Sequence, residues 1–263
     1  FDILYKMSNK LLQISTTQLK TIDPTIKTHD FSITIPNLIL NNDRKYSVAL
    51  VNYSLWYSWF NLSASNSNNQ LRYSPDNGVT FYTLTISDGN YGIDTLSSVI
   101  QALITANGHD GTNFQLTANY STLKVELTLT NNYQLDLTIA NTFDVLIGFS
   151  KLVYTASQSG TLVPNITNSV DLLSINCDLV SANDNFINEK NNDSLYSFVP
   201  SVPPGANING GSGLSQPIFL PIARSGYIGA IHFSIRSNNG LLLDLNNENV
   251  SLTLVIRDDG FAK

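Results

Sequence analysis

One change of hydrophobic period, between residues 80 and 108, constrains the fold more than any other feature of this chain. Apolar and polar residues alternate over residues 81–86, which predicts a β-strand. Apolar residues then recur three and four positions apart, on one side of a helix, at Leu96, Val99, Ile100 and Leu103. We expect Asp94 to cap the start of this helix and Asn107-Gly108 to end it.

No other stretch of the sequence has so clear a helical pattern. Most of the rest of the 263-residue chain forms short alternating or apolar runs between turns rich in Asn, Gly and Pro. About ten to twelve strands fit this pattern, without an internal repeat or a long linker. The sequence therefore predicts an all-β fold: a single jelly-roll or related Greek-key β-sandwich of two antiparallel sheets, with one short inserted helix near residues 94–107.

The pattern also suggests how the chain is divided. Residues 1–28 carry apolar side chains without a regular period and predict an N-terminal arm that pairs with this sheet or with a neighbouring subunit. Residues 29–258 should form the jelly-roll domain. Residues 259–263 should form a C-terminal tail, with Asp258-Asp259 in solvent at the boundary between the domain and the tail.

Several turn residues predict local features. Pro36 should end the strand that begins at Phe31, because proline cannot donate to a sheet. Residues 74–78 (SPDNG) predict a turn between strands. Asn131-Asn132 should join two neighbouring strands in a tight hairpin. Gly148 should stop a single helical turn that begins near Phe143.

Charge and composition exclude some classes of function. The formal net charge is −6, and charged residues make up only 13% of the chain. Direct nucleic-acid binding is disfavoured, because it requires a basic stripe that displaces counterions. No apolar run is long enough for a membrane span. Low charge suits a protein that packs against neighbours, although compositional drift in an A·T-rich genome would also enrich Asn.

The sequence contains no recognisable catalytic or metal-binding motif. His29, His109 and His232 are isolated from one another, and Cys177 is the single cysteine. The glycine-rich residues 210–213 follow no strong strand and open no helix, which argues against a phosphate-binding loop. We therefore expect no catalytic residues, no metal and no cofactor, with Cys177 packed as a small apolar side chain inside a strand.

An aromatic segment contains both tryptophans of the chain. Packing in the core or at a sheet edge explains such a segment in most proteins, but Trp and Tyr also dominate the hot spots of protein interfaces. The candidate subunit-interface residues are Trp56, Tyr57, Trp59 and Phe60.

Eight short strings stand out when taken in order: residues 57–63, 74–91, 146–149, 175–180, 195–198, 204–205, 243–245 and 252–257. Together they resemble the jelly-roll capsid proteins of Polinton/Maverick elements, adintoviruses and virophage-like DNA viruses. The length is similar to that of the single-jelly-roll minor capsid, or penton, protein. This resemblance implies an eight-stranded sandwich of two four-stranded sheets, located in the virion. It also implies homo-pentamers that contact other capsid proteins at icosahedral vertices.

Other functions remain open at this stage. A subunit of the major, hexon-like capsid layer would share the jelly roll, although such proteins usually carry two. A carbohydrate-binding β-sandwich would stack Trp56, Tyr57 or Trp59 on sugar rings. A sandwich-fold hydrolase or lyase would gather carboxylates from distant strands, and the scarcity of clustered Asp and Glu weighs against it.

Overall fold

The computed structural model describes residues 9–180, 186–187, 190–191, 193–210 and 217–261. The chain divides into two compact units, one formed by residues 1–59 and 170–263 and the other by residues 60–169. The second unit is thus an insertion in the sequence of the first. Most of the regular structure is β-strand, as the sequence predicts.

The strands, in chain order, are β1 Lys10–Ser15, β2 Asp30–Leu40, β3 Arg44–Trp56, β4 Gln70–Ser74, β5 Tyr82–Thr85, β6 Phe114–Asn119, β7 Lys124–Leu129, β8 Gln134–Asp136, β9 Val153–Tyr154, β10 Gln158–Ser159, β11 Leu173–Cys177, β12 Phe186–Ile187, β13 Lys190–Asn191, β14 Ser194–Phe198, β15 Asn207–Gly210, β16 Leu220–Pro221, β17 Gly226–Ser237 and β18 Ser251–Phe261. The helices are α1 Thr16–Ile22, α2 Ile93–Ala106 and α3 Asp144–Ile147, with a short 3-10 helix at Gly111–Asn113.

The first unit is a jelly-roll sandwich. One sheet has the order β1-β18-β3-β15, with β16 also paired to β3, and the other has the order β14-β11-β17-β2. If the eight main strands are numbered along the chain, the sheets contain strands 1-8-3-6 and 2-7-4-5. All of these pairings are antiparallel, and the interleaved order is that of a jelly roll. The predicted all-β jelly-roll fold is confirmed. The insertion is larger than the single helix expected, because residues 60–169 form a compact unit with its own strands.

The core of the sandwich is aliphatic and aromatic. Four consecutive residues of β3, from Ser47 to Leu50, are buried, as expected for the dense apolar run in the centre of a sheet. The rings of Phe31 on β2 and Phe233 on β17 stack with centroids 5.6 Å apart. Cys177 is fully buried in β11, in the strand position that the sequence predicts.

The second unit contains the predicted helix. Its strands form two sheets, β10-β7-β6 and β5-β4-β8-β9, and α2 packs against β6. Leu96 and Ile100 are fully buried, whereas Val99 and Leu103 are only partly buried. The helix begins one residue before Asp94, with Gly92 at the N-cap position, so the predicted cap is wrong. The buried face is rotated toward Ile93, Ser97 and Ile104.

The expected N-terminal arm is in part a strand of the sandwich. Residues 10–15 form β1 and pair with β18 in an unbroken antiparallel register. Pairing with this sheet, one of the two expected alternatives, is therefore confirmed for these residues. The helix α1 follows and was not predicted, because its seven residues show no apolar period. Residues 1–8 of the expected arm lie outside the described residues.

The expected C-terminal tail is also wrong for its first residues. β18 continues to Phe261, where it pairs with Arg44 at the start of β3. Asp258 forms an ion pair with Arg44, with 2.7 Å between Oδ2 and Nε. This pairing keeps the end of β18 in the sheet, and a short acidic sequence gives no local sign of such a distant partner.

Two turn predictions fail for tertiary reasons. Asn131 and Asn132 both have positive φ, but β7 pairs with β6 and β10, while β8 pairs with β4 and β9. The turn carries the chain from one sheet to another and does not close a hairpin. Pro36 does not end β2. The strand is at a sheet edge and accommodates the proline beside a register shift, with Asn37 at φ 67°.

Two other turn predictions are confirmed. Asn77 and Gly78 have positive φ between the paired strands β4 and β5. Gly148 ends α3 in the left-handed conformation, at φ 74°.

Candidate functional site

The aromatic segment begins at the last residue of β3. Trp56 pairs with Asn207 on β15, and its side chain lies at the surface, 41% exposed. Tyr57 is half-buried, and its ring stacks on that of Trp59 with centroids 3.9 Å apart. Trp59 is 3% exposed. Phe60 is half-buried and is the first residue of the second unit.

The stacked pair of Tyr57 and Trp59 belongs to the sandwich core. Burial raises the pKa of the Tyr57 hydroxyl above its ordinary value, while a hydrogen bond with the Trp59 side chain acts in the opposite direction. Trp59 is buried, so its ring offers no open face of the kind that stacks on a sugar. Of the four candidate interface residues, Trp56 is the most exposed. The role of all four in a subunit interface stays a prediction.

The three histidines have separate structural partners. His29 Nδ1 lies 3.7 Å from Asp244 Oδ1, and His232 Nε2 lies 2.8 Å from Asp30 Oδ1. His109 Nδ1 lies 2.8 Å from the Tyr73 hydroxyl. Within the described ranges, no three His, Cys, Asp or Glu side chains gather in a way that could hold a metal ion. None of the helices in that part of the chain has the length and apolar composition needed to cross a bilayer.

The buried thiol of Cys177 has no features of a nucleophile. Desolvation raises its pKa to about 12, so the thiol stays protonated at physiological pH. A reactive cysteine needs the opposite environment, with a lowered pKa and solvent access. We therefore assign Cys177 a packing role.

The most buried carboxylate of the second unit is also structural. Asp136 on β8 is fully buried and forms an ion pair with its cross-strand neighbour Arg72 on β4. Desolvation acts to raise its pKa, but hydrogen bonds from the Thr138 hydroxyl and backbone N–H, together with Arg72, bring the pKa below its ordinary value. The ionised form therefore stabilises the fold above the ordinary pKa of an aspartate, and this stabilisation is lost as the pH falls through the lowered native value.

The sandwich exposes edge strands on two flanks. On the first flank lie β1 and β2, which approach each other where Lys10 Nζ donates to the Ile39 carbonyl over 3.3 Å. On the second flank lie β15 and β14, and the rings of Tyr53 on β3 and Phe198 on β14 are 4.7 Å apart. Among the residues that the structure describes, no further strand pairs with the outer side of these four edge strands, so each flank offers backbone groups to a neighbouring molecule.

Both flanks also carry exposed apolar side chains. On the first, Ile39 of β2 is 56% exposed and pairs with the equally outward-facing Tyr227 of β17. On the second, Val199 directly follows β14 and is 65% exposed, and Trp56 lies beside β15. Exposed apolar side chains beside open sheet edges are typical of protein contact surfaces. The sequence pattern singles out Trp56 but not Ile39 or Val199, because an apolar residue in an alternating strand is indistinguishable from a core residue.

No protein-family model matches the chain, and no curated protein is similar to it in sequence. Its fold matches solved structures. The crystal structure of the mavirus penton protein aligns with a TM-score of 0.51 and 11% sequence identity, over 95% of this chain and 100% of that chain. A chain of the cryo-EM structure of the Sputnik virophage aligns with a TM-score of 0.45 and 13% identity, over 94% of this chain and 97% of that chain. At 11% identity, the likeness to the mavirus penton protein establishes a shared fold.

Proposed function

We propose that this chain is a structural subunit of an icosahedral DNA-virus shell or of a related virus-like element, and that it occupies the penton position. One observation carries the proposal: the chain has the jelly-roll fold of the mavirus penton protein, and the likeness extends over nearly the whole of both chains. A shell subunit needs a rigid sandwich, apolar contact surfaces and few charges between neighbours. The 13% charged residues and the exposed apolar side chains of both flanks suit this role.

In this proposal, five copies form a closed ring around a vertex and also contact other capsid proteins. A ring of identical subunits uses heterologous contacts, so the first flank of one copy meets the second flank of the next. A stable contact of this kind buries more than ~1,000 Å² in total. Ile39 and Val199 are the side chains that best report on the two sides, because each is exposed at a different flank.

The proposed role requires no catalytic centre and no metal. The histidines are held in separate contacts with Asp244, Tyr73 and Asp30, and Cys177 is buried and protonated. The proposed role also involves no direct contact with nucleic acid, which the net charge of −6 disfavours.

Sedimentation velocity over a range of protein concentrations tests the ring. The wild-type chain should form a closed oligomer, most simply a pentamer. Both Ile39→Asp and Val199→Asp should sediment as monomers, because either change places a charge in an apolar contact. Tyr120→Asp is the matched control: Tyr120 is exposed too, but it lies in the second unit.

Mixing the two flank variants gives a sharper test of geometry. Each variant retains one intact flank, so an equimolar mixture should form heterodimers that cannot close into a ring. If the contact were isologous, the same surface would be damaged in both variants, and the mixture would stay monomeric. A wild-type chain that stays monomeric at high concentration and beside other capsid proteins of its particle would contradict the proposal. Binding of the monomer to a glycan array, lost in Trp56→Ala, would then favour the carbohydrate-binding alternative.

A further inference from the structure

A cleft of about 500 Å³ lies at the end of the sandwich where β2 turns into β3. It is bordered by the start of β3, the end of β18 and residues 219–225, which include β16 and lead into β17. Its charged lining residues are Arg44, Lys45, Arg224, Arg257 and Asp259. Four of the 14 basic residues of an acidic chain thus line one small cleft, which we call the basic cleft.

Two of the arginines are fixed in position by their neighbours. Arg257 Nε donates to Asp259 Oδ1 over 2.7 Å, and its guanidinium lies 3.9 Å from the centre of the Phe219 ring. Arg224 donates to Asp178 over 2.8 Å and to the Ala230 carbonyl over 3.4 Å. A guanidinium has five N–H donors, so these contacts leave donors of both side chains for a further acceptor.

Arg44 and Lys45 complete the cationic wall. Arg44 is held by Asp258 and lies 4.9 Å from the centre of the Phe261 ring. Lys45 is exposed and forms no ion pair with any residue that the structure describes, although the exposed Asp43 is close in sequence. Three aspartates balance the charge of the three arginines, so the net charge around the cleft is small. What the cleft offers is a set of guanidinium N–H donors held in fixed directions.

A buried hydroxyl in the lining also points to a ligand. Ser47 lines the cleft and is 4% exposed, and its Oγ forms no hydrogen bond with any part of the chain that the structure describes. Burying a hydroxyl without a hydrogen-bond partner destabilises the fold. An oxygen acceptor supplied by a ligand would satisfy this group together with the arginine donors.

We propose that the basic cleft binds a short acidic peptide segment through its side-chain carboxylates. Preorganised guanidiniums bind carboxylates through paired hydrogen bonds, and little conformational entropy is lost because the arginines are already ordered. The cleft volume accommodates a few side chains. Nucleic acid is the less suitable ligand, because it needs a long stripe of unpaired cations. This inference goes beyond the shell role and does not depend on it.

Fluorescence polarisation with a labelled oligoglutamate peptide tests the proposal, and an oligothymidylate of equal charge serves as the competing probe. We expect the full chain to bind oligoglutamate more tightly than oligothymidylate. Arg257→Gln should weaken peptide binding by about tenfold, as expected for the loss of a charged hydrogen bond. Lys45→Ala should weaken it too, without disturbing an ion pair of the fold.

Arg236→Gln is the matched control, because Arg236 lies in the same unit and bonds to the Gly240 carbonyl away from the cleft. It should bind the peptide as the wild type does. Equal binding by Lys45→Ala and Arg236→Gln would overturn the proposal. No measurable peptide binding, or tighter binding of oligothymidylate, would overturn it as well.

Discussion

At the scale of the residue, Gly148 links a local conformation to a tertiary contact. It ends α3 with φ 74°, which L-residues adopt at a cost of about 1–2 kcal/mol. A Cβ at this position would also lie 2.4 Å from the Leu162 carbonyl oxygen. Gly108, after α2, has a similar φ of 85°, but an added Cβ there meets no atom within 4 Å. Substitution at Gly108 therefore tests backbone strain alone, whereas substitution at Gly148 tests backbone strain together with a steric clash.

We expect Gly108→Ala to destabilise the protein by about 1–2 kcal/mol, through backbone strain alone. Gly148→Ala should cost a further ~1–3 kcal/mol, because the chain at Leu162 has to move. Urea unfolding followed by circular dichroism measures both values. Equal losses of unfolding free energy in the two variants would mean that the chain near residue 162 moves without cost and that the close contact has no energetic role.

At the scale of the element, β1 shows that the jelly roll begins earlier than residue 29. It pairs with β18 at every position from Lys10 to Ser15, and Ile14 is buried in the sandwich core. Without β1, the long strand β18 would become the edge of its sheet. This would expose apolar side chains that β1 now helps to cover.

Removal of residues 1–15 should therefore lower the melting temperature by roughly 5 °C or more, which corresponds to the loss of a few kcal/mol in a chain of this size. Removal of residues 1–9 is the control, because it takes no residue from the strand. Differential scanning calorimetry of the two truncated chains compares them directly. If both truncated chains melt together, β1 contributes nothing to stability and acts only as an arm.

At the scale of the whole molecule, the sequence contains one compact unit inserted into another. Within the second unit, Asn61 Nδ2 donates to the carbonyls of Tyr91 and Ile166, each over 2.9 Å. The bond to Ile166 connects the beginning of the unit to its end. The unit also has its own hydrophobic core, which includes Tyr73, Phe114 and Phe149.

We expect residues 60–169 to fold when expressed alone, with a single cooperative thermal transition and the circular dichroism of a mixed α and β protein. Asn61→Ala in this fragment should lower its stability by about 1–3 kcal/mol, because two partly buried carbonyls lose their donor. A fragment that shows no cooperative transition would mean that the unit depends on the rest of the chain.

The sequence by itself determined the local features of this protein. The helical period of the apolar residues predicted α2. The face that is buried in the structure lies closer to Ile104 than the face that the sequence predicted. The alternation of apolar and polar residues predicted the strands. Asn and Gly, which tolerate positive φ, predicted the turns at Asn77-Gly78 and Gly148. These features depend on interactions between residues a few positions apart, so their energies can be read from a short window.

Only the tertiary structure decided which strands pair and which side chains meet. Asn131-Asn132 makes a turn whether or not its two strands share a sheet. Trp59 lies in the sandwich core, whereas Trp56, three positions earlier, lies at the surface. The basic cleft brings Arg44 together with Arg224 and Arg257, which are far apart in sequence. Such contacts are selected by long-range burial and charge pairing across the whole fold, and no local pattern encodes the partner.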